Sequence, residues 1–345
     1  GDHRDLHSFP TRRSSDLGTD DDEAKELFSE VLTPRLSEAG QREQQVCLRR
    51  AAQEEGRADR ALMKRFVARL CFWSPPGVTA GRGGAATITS TKGAYIVTGG
   101  LGGLGMAFCA WLVRCGASRV TLIGRKDPTS EMRQQIEGLT RGAEVALEIV
   151  KADVSDASGL KAALAKASAA RTGATAVPTV GILHCAGVSD PAPIARQTKS
   201  RQVAVFAPKV RGSWNLHELD LEEPAERRAK VFVLFSSIAG LLGVFGQANY
   251  AAANAFMDGV ARMRSHMGLP ASSVQWGPFS GVGMLAHSPA AATLGLKQGG
   301  ISMISTDEGL ECLEIVLRGG AVESCVVNID WSLFLYRLPR FQSFY

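Results

Sequence analysis

The stretch "AYIVTGGLGGLGMAFCAWLVRCG", Ala94 to Gly116, constrains the fold more than any other part of this chain. An apolar run ends in a glycine-dense turn, and a helical pattern starts immediately after it. The alternation then continues. "RVTLIGR" precedes a helix around Glu131 to Leu139, and "VALEIVKADV" precedes an Ala-rich helix from Ser158 to Ala170. "TVGILHCAG" leads into a long helical stretch to about Leu219, and "KVFVLFSS" leads into a helix carrying Tyr250. "ASSVQWGPF" and "SCVVNID" flank a last helix from Thr306 to Leu317. Val/Ile-rich runs that are apolar on both faces and separated by helices predict an α/β fold, a doubly wound parallel sheet with helices on both sides.

Upstream the pattern changes. From Asp20 to about Trp73 it is polar and helical, with Leu27, Val31 and Leu32, then Leu62, Phe66 and Leu70, at helical spacing. "PPGVTAGRGGAATITSTKG" reads as a connector and sets a boundary near residues 80–92. "HSFPTRRSSDL", His7 to Leu17, matches one reading frame of a sequencing-library adapter. Residues 1–17 are therefore read as an artefact and set aside. The expected organisation is a helical segment and linker over 18–90 and a cofactor-binding domain over 91–345.

Composition removes several classes of function. The net charge is +5 over 345 residues, with Lys and Arg interleaved with Asp and Glu, so no basic face for nucleic acid is expected. The seven cysteines, at 47, 71, 109, 115, 185, 312 and 325, form no C-x-x-C pair, and the histidines show no metal-ligand spacing. No metal is expected, and a reduced intracellular compartment, the cytoplasm, is the simplest reading. Organelle targeting stays open because the N-terminus is unreliable. No apolar run reaches the ~18–20 residues a bilayer span needs.

Thr98 ends the first strand, and Gly100-Leu101-Gly102-Gly103-Leu104-Gly105 follows as G-x-G-x-x-G between strand and helix. Glycines there let the backbone approach a pyrophosphate placed at the positive end of the helix. The second strand ends in Arg125 and Lys126, where an NAD site carries an acidic residue for the ribose hydroxyls. A guanidinium binds a 2′-phosphate bidentately, so the expected cofactor is NADPH. Asp153 and Val154, after the third strand, fit the edge that meets the adenine ring. Ser237 and Tyr250 fall where strand carboxyl ends line the cofactor crevice. There a phenol can protonate a forming alkoxide and a serine hydroxyl can polarise the carbonyl.

Together the glycine loop, "HCAG" (His184 to Gly187), Ser237, and Tyr250 four residues before Asn254 resemble the short-chain dehydrogenase/reductase superfamily, a Rossmann-like fold. More narrowly, residues from about 92 to 335 resemble the ketoreductase domain of a type I polyketide synthase. In that subfamily lysine and asparagine have exchanged places, so the resemblance makes Lys209, in "FAPKVRGSWNLHEL", the catalytic lysine and Asn254 its relay partner. It also implies Ala186 and Gly187 at the cofactor and Gln247, Pro278 and Met284 at the substrate. "QWGPF", "GVGM" and "VNIDWSLF" match further.

What the resemblance implies is NADPH-dependent reduction of a β-ketoacyl thioester during polyketide or fatty acid assembly, on a chain held by an acyl-carrier protein or domain among other synthase domains. The alternatives are a free-standing fatty-acid-type or small-ketone reductase and a catalytically silent structural domain. Residues 18–90 would be a remnant of the bracing subdomain, or an unrelated helical linker. Two stereochemical marks are missing, because Ser189-Asp190-Pro191 stands in place of Leu-Asp-Asp and Leu242 in place of a tryptophan. The Gly/Ser/Ala-rich segment Leu285 to Gly300 is read as a substrate lid.

Overall fold

A computed structural model describes residues 93–170, 177–284 and 296–336 and the backbone of 45–48 and 70–72. All of these fall within the unit Gln44–Gln342. In chain order the strands are β1 (Gln45–Leu48), β2 (Leu70–Phe72), β3 (Ala94–Thr98), β4 (Arg119–Gly124), β5 (Ala146–Lys151), β6 (Thr179–His184), β7 (Val231–Ser237), β8 (Ser272–Trp276), β9 (Ile301–Ser302), β10 (Glu323–Val326) and β11 (Asn328–Ile329). The helices are α1 (Gly103–Arg114), α2 (Ser130–Thr140), α3 (Ala157–Ala169), α4 (Lys199–Phe206), α5 (Gly212–Glu222), α6 (Ala239–Leu242), α7 (Ala248–His266), α8 (Thr306–Gly319) and α9 (Trp331–Tyr336).

Nine strands form one sheet in the order β2-β1-β10-β8-β7-β6-β3-β4-β5. From β10 to β5 all neighbours are parallel. The strand order reverses at β3, with β4 on one side and β6 on the other. A crevice opens at such a switch point, beyond the strand carboxyl ends.

Side-chain alternation explains why the strands are apolar throughout. Tyr95 and Val97 of β3, with Val231, Val233 and Phe235 of β7, pack against Phe108, Trp111 and Leu112 of α1 and Leu313 and Val316 of α8. Ile96, Phe232 and Leu234 point the other way, to Leu160 of α3, Leu216 of α5 and Met257 of α7. A strand covered on both faces needs both residue sets apolar, and the period of two assigns them to opposite layers.

In two places the structure departs from the pattern. Within 18–90, expected to be helical, the described residues are strand: β1 pairs antiparallel with both β2 and β10. Leu70, placed on a helix by its spacing, begins β2. The edge of β10 offers unpaired backbone groups, and pairing with it outweighs a weak helical periodicity. The rest of 18–90, the segment 1–17 and lid residues 285–295 lie outside the described residues. The long helix expected up to Leu219 is broken by a π turn over Ala207–Arg211. Pro208 has no N–H to give to a regular helix, and the wider turn is closed instead by Gly212 N–H donating to the Ala207 carbonyl.

One buried ionic cluster fastens α7 to α5. Arg264 is fully buried; its Nη2 donates to Asp220 Oδ2 at 2.7 Å and its Nε to the Pro270 carbonyl at 3.1 Å. Its guanidinium lies over the Phe232 ring, 3.8 Å from the centroid. His217 Nδ1 is 3.0 Å from Nη1. Burial, and then the Arg264 charge, push that imidazole's pKa down, which suits it to accept. The other Asp220 oxygen accepts from the Ala229 N–H at 2.7 Å.

Candidate active site

The glycine loop lies at the switch point. Gly99, one residue before the motif read from the sequence, has φ of +65°. A Cβ there would stand 2.8 Å from the N and Cα of Ala186, so the loops after β3 and β6 meet backbone to backbone. At Gly105 a Cβ would lie 2.3 Å from the Gly99 carbonyl oxygen, so only glycine lets α1 start this close to the turn. Gly100 N–H donates to the Ile123 carbonyl and Gly102 N–H to the Gly99 carbonyl. Gly102 and Gly103 are exposed at the head of α1, with Leu101 and Leu104 half-buried beside them.

Arg125 and Lys126 follow β4, are exposed, and form no ion pair with another described residue. A Cβ on the adjoining Gly124 would lie 3.1 Å from Leu101, which places this strand end beside the glycine loop. Asp153 is exposed, and its Oδ1 accepts from the Ser155 N–H and hydroxyl, fixing the turn after β5. Val154 is a core residue at 5% exposure, packed where a Cβ on Gly212 would touch it, and its carbonyl accepts from Asn215. Its side chain lies in the core. Thr98 is fully buried, and its hydroxyl is 2.6 Å from His184 Nδ1. Burial, and then the Lys209 charge, bring His184 down to about 3, against the Pro208 carbonyl, so the ring is neutral.

Ser237, Tyr250, Lys209 and Asn254 come together from three elements. Ser237 ends β7, and its Oγ accepts from the Ala239 N–H at 3.2 Å. Tyr250 lies in the first turn of α7, where Asn249 Oδ1 accepts its N–H. Burial raises the phenol's pKa, and the Asn254 and Ser237 side chains act against it as donors. The π turn delivers Lys209 to the same place, 3% exposed. Its Nζ donates to the Phe235 carbonyl at 3.0 Å and stands 5.2 Å from the centroid of the Tyr250 ring. Burial lowers this ammonium to about 8. A Cβ on Gly187 would fall 2.7 Å from Lys209 Cε, so the "HCAG" loop runs directly against the end of the lysine.

Asn254 Nδ2 donates to the Tyr250 main-chain carbonyl at 2.7 Å, while its Oδ1 is buried with no partner among the described atoms. Such an orphan suits a bridging water.

Among the residues expected at the substrate, Gln247 is the half-buried N-cap of α7. The Pro278 carbonyl accepts from the Ile304 N–H. Met284 is 47% exposed and follows Val282 and Gly283, which pack against Gly103 and Leu104. That segment thus borders the glycine loop. Among the described residues no group of His, Cys, Asp and Glu could hold a metal ion, and no helix is long and apolar enough to cross a membrane.

Sequence reasoning missed Gly99, whose tight approach to Ala186 leaves no trace in a G-x-G-x-x-G search. It also passed over Asp258 and gave Gln275 no role of its own. Both are buried polar residues whose partners are known only once α7 sits on β8.

Comparison with known proteins agrees with this geometry. The KR domain family profile matches residues 93–281. The chain is 35% identical over 263 residues to a phthioceranic/hydroxyphthioceranic acid synthase of Mycobacterium tuberculosis, covering 74% of this chain and 12% of that protein. It is 37% identical over 249 residues to an erythronolide synthase of Saccharopolyspora erythraea, covering 70% and 7%. The chain thus spans a small part of the curated relatives it matches. A solved ketoreductase from the first module of phoslactomycin biosynthesis in a Streptomyces species superposes with a TM-score of 0.68 at 31% identity, over 79% of this chain and 59% of that one. An A-type ketoreductase from a modular polyketide synthase gives 0.67 at 30%, over 79% and 54%. Fold, site and relatives converge: this chain belongs to the KR domain family, the ketoreductases of polyketide synthases.

Proposed function

We propose that this domain reduces a β-ketoacyl thioester to the β-hydroxyacyl thioester with NADPH, on an acyl chain delivered by a carrier protein or domain and in concert with other polyketide synthase domains. The observation that carries this reading is the convergence of Tyr250, Ser237 and Lys209 at the carboxyl end of β7, beside the glycine loop. Gly102 and Gly103, exposed at the head of α1 on a turn that Gly99, Gly100 and Gly105 keep tight, fit a pyrophosphate. Arg125 and Lys126, exposed next to it, fit a 2′-phosphate.

When bound, the reduced nicotinamide supplies hydride to the β-carbon. Ser237 orients the keto oxygen, and Tyr250, held protonated by burial, gives its proton to the oxygen as negative charge grows there. The Lys209 ammonium stabilises the phenolate that remains, and Asn254 Oδ1 holds a water through which the proton is restored.

An N-acetylcysteamine β-ketothioester is the test substrate, with NADPH oxidation as the readout. Turnover supports the reading, whereas NADPH binding without turnover would leave a silent structural domain. Arg125→Ala should raise the KM for NADPH about 10- to 100-fold, the loss of a charge-assisted contact, and leave that for NADH unchanged. Because the reaction needs Lys209 as an ammonium, activity should decline as pH rises through about 8.

A further inference from the structure

We infer that Asp258 is the buried counter-charge of Lys209, held in place by Ser273 and Gln275, and that it sets the alkaline end of the pH range over which the domain works. The pH part rests on the role proposed for Lys209 above; the charge pairing does not.

Tyr250, Asn254 and Asp258 are spaced i, i+4 and i+8 on α7, so they line one face of the helix. Asp258 is 3% exposed. Its Oδ1 accepts from the Ser273 hydroxyl at 2.6 Å and its Oδ2 from Gln275 Nε2 at 2.9 Å. Both donors are neutral, so they fix the carboxylate without balancing its charge. Lys209 is as deeply buried, and its one hydrogen bond given by the structure is to the neutral Phe235 carbonyl of β7, the neighbour of β8. Each is a buried charge that needs an opposite charge within reach.

The surroundings leave one candidate for each. The titratable groups close to Lys209 are His184, Cys185 and Tyr250, and burial keeps all three neutral by lowering the first and raising the other two. β7, β8 and α6 carry no titratable side chain. On α5, Asp220 and His217 are engaged by Arg264, and Glu218 and Glu222 are occupied by Trp214 and Lys161. On β10, Glu323 pairs with Arg262 of α7. On α4, Lys199 is exposed and Arg201 pairs with Asp190, and Arg211 of the π turn is exposed. Among the described residues, Asp258 is the one buried anion left near Lys209: its donors Ser273 and Gln275 flank Val274, which pairs with Phe235, whose carbonyl Lys209 holds.

The test is a cycle in the full chain: Lys209→Met, Asp258→Asn and the double variant, compared by thermal unfolding at pH 7.5. Each single change strands a buried charge and should lower Tm by several degrees. The double variant should unfold no lower than the less stable single. Additive losses would overturn the pairing. Should Asp258→Asn alone not fold, Lys209→Met is compared with Lys209→Arg, which keeps the cation. Lys209→Arg should recover most of the lost Tm, and equal losses in the two variants would overturn the pairing.

For the pH range, Asp258→Asn should move the alkaline limb of kcat down by roughly one pH unit, and Asp258→Glu should restore it. An unmoved limb refutes that half. Failure of the reductase reading shows separately, as wild-type protein that binds NADPH and turns over no substrate, and it leaves the stability result intact.

Discussion

Tyr250→Phe should lower kcat for carbonyl reduction by about 100- to 10,000-fold, the range for removing a positioned acid, with NADPH affinity unchanged. The substitution deletes one oxygen and nothing else. The ring keeps its place beside Val205, Ala239 and Ala253, and the Asn249 and Asn254 hydrogen bonds to the Tyr250 backbone stay; what goes is the phenol's own bonding to the Ser237 and Asn254 side chains. The glycine turn is formed by residues 99–105 against Ala186, on elements other than α7. Steady-state NADPH oxidation gives the first quantity and a fluorescence titration with NADPH the second. Near-normal turnover would show that the proton comes from another group.

Asp220→Ala should destabilise the protein by about 3–5 kcal/mol, because it strands a fully buried guanidinium. The Ala229 N–H loses its acceptor as well. For a domain of this size the loss corresponds to a Tm roughly 10 °C lower. Arg264→Met is the comparison that separates the pair from the packing. It removes the cation but leaves Asp220 with the Ala229 N–H, and it keeps an apolar stem over Phe232. Its Tm should therefore fall by less. Equal losses would mean that the stranded Asp220 carboxylate costs as much as the stranded guanidinium.

The doubly wound sheet was legible because its strands are buried on both faces, so β3 and β7 read as unbroken apolar runs with no competing pattern. β1 and β2 were not. They are short; β1 lies in a polar stretch and takes strand form on the edge of β10, a partner almost three hundred residues away in sequence, and β2 then pairs with β1. Tyr250 and Ser237 could be picked out from their positions relative to a strand end. Lys209 could not, since a single lysine in a helical stretch ordinarily faces water, and only family resemblance singled it out. Asp258 was invisible for the same reason. The burial of Val154 was not legible either, because a strand-end residue that points inward looks, in sequence, like one that points outward.

The π turn carries a consequence for how this stretch can vary. From Phe206 to Gly212 the position of Lys209 depends on how many residues are wound into the turn, not only on which residue stands at 209. Losing one residue there would close the segment into regular helix and leave α4 and α5 in phase, because the wide turn is one residue added to a helix. The bulge that carries Lys209 would vanish, so a change of length removes what a substitution can only tune. The lysine is thus held by a count as well as by contacts.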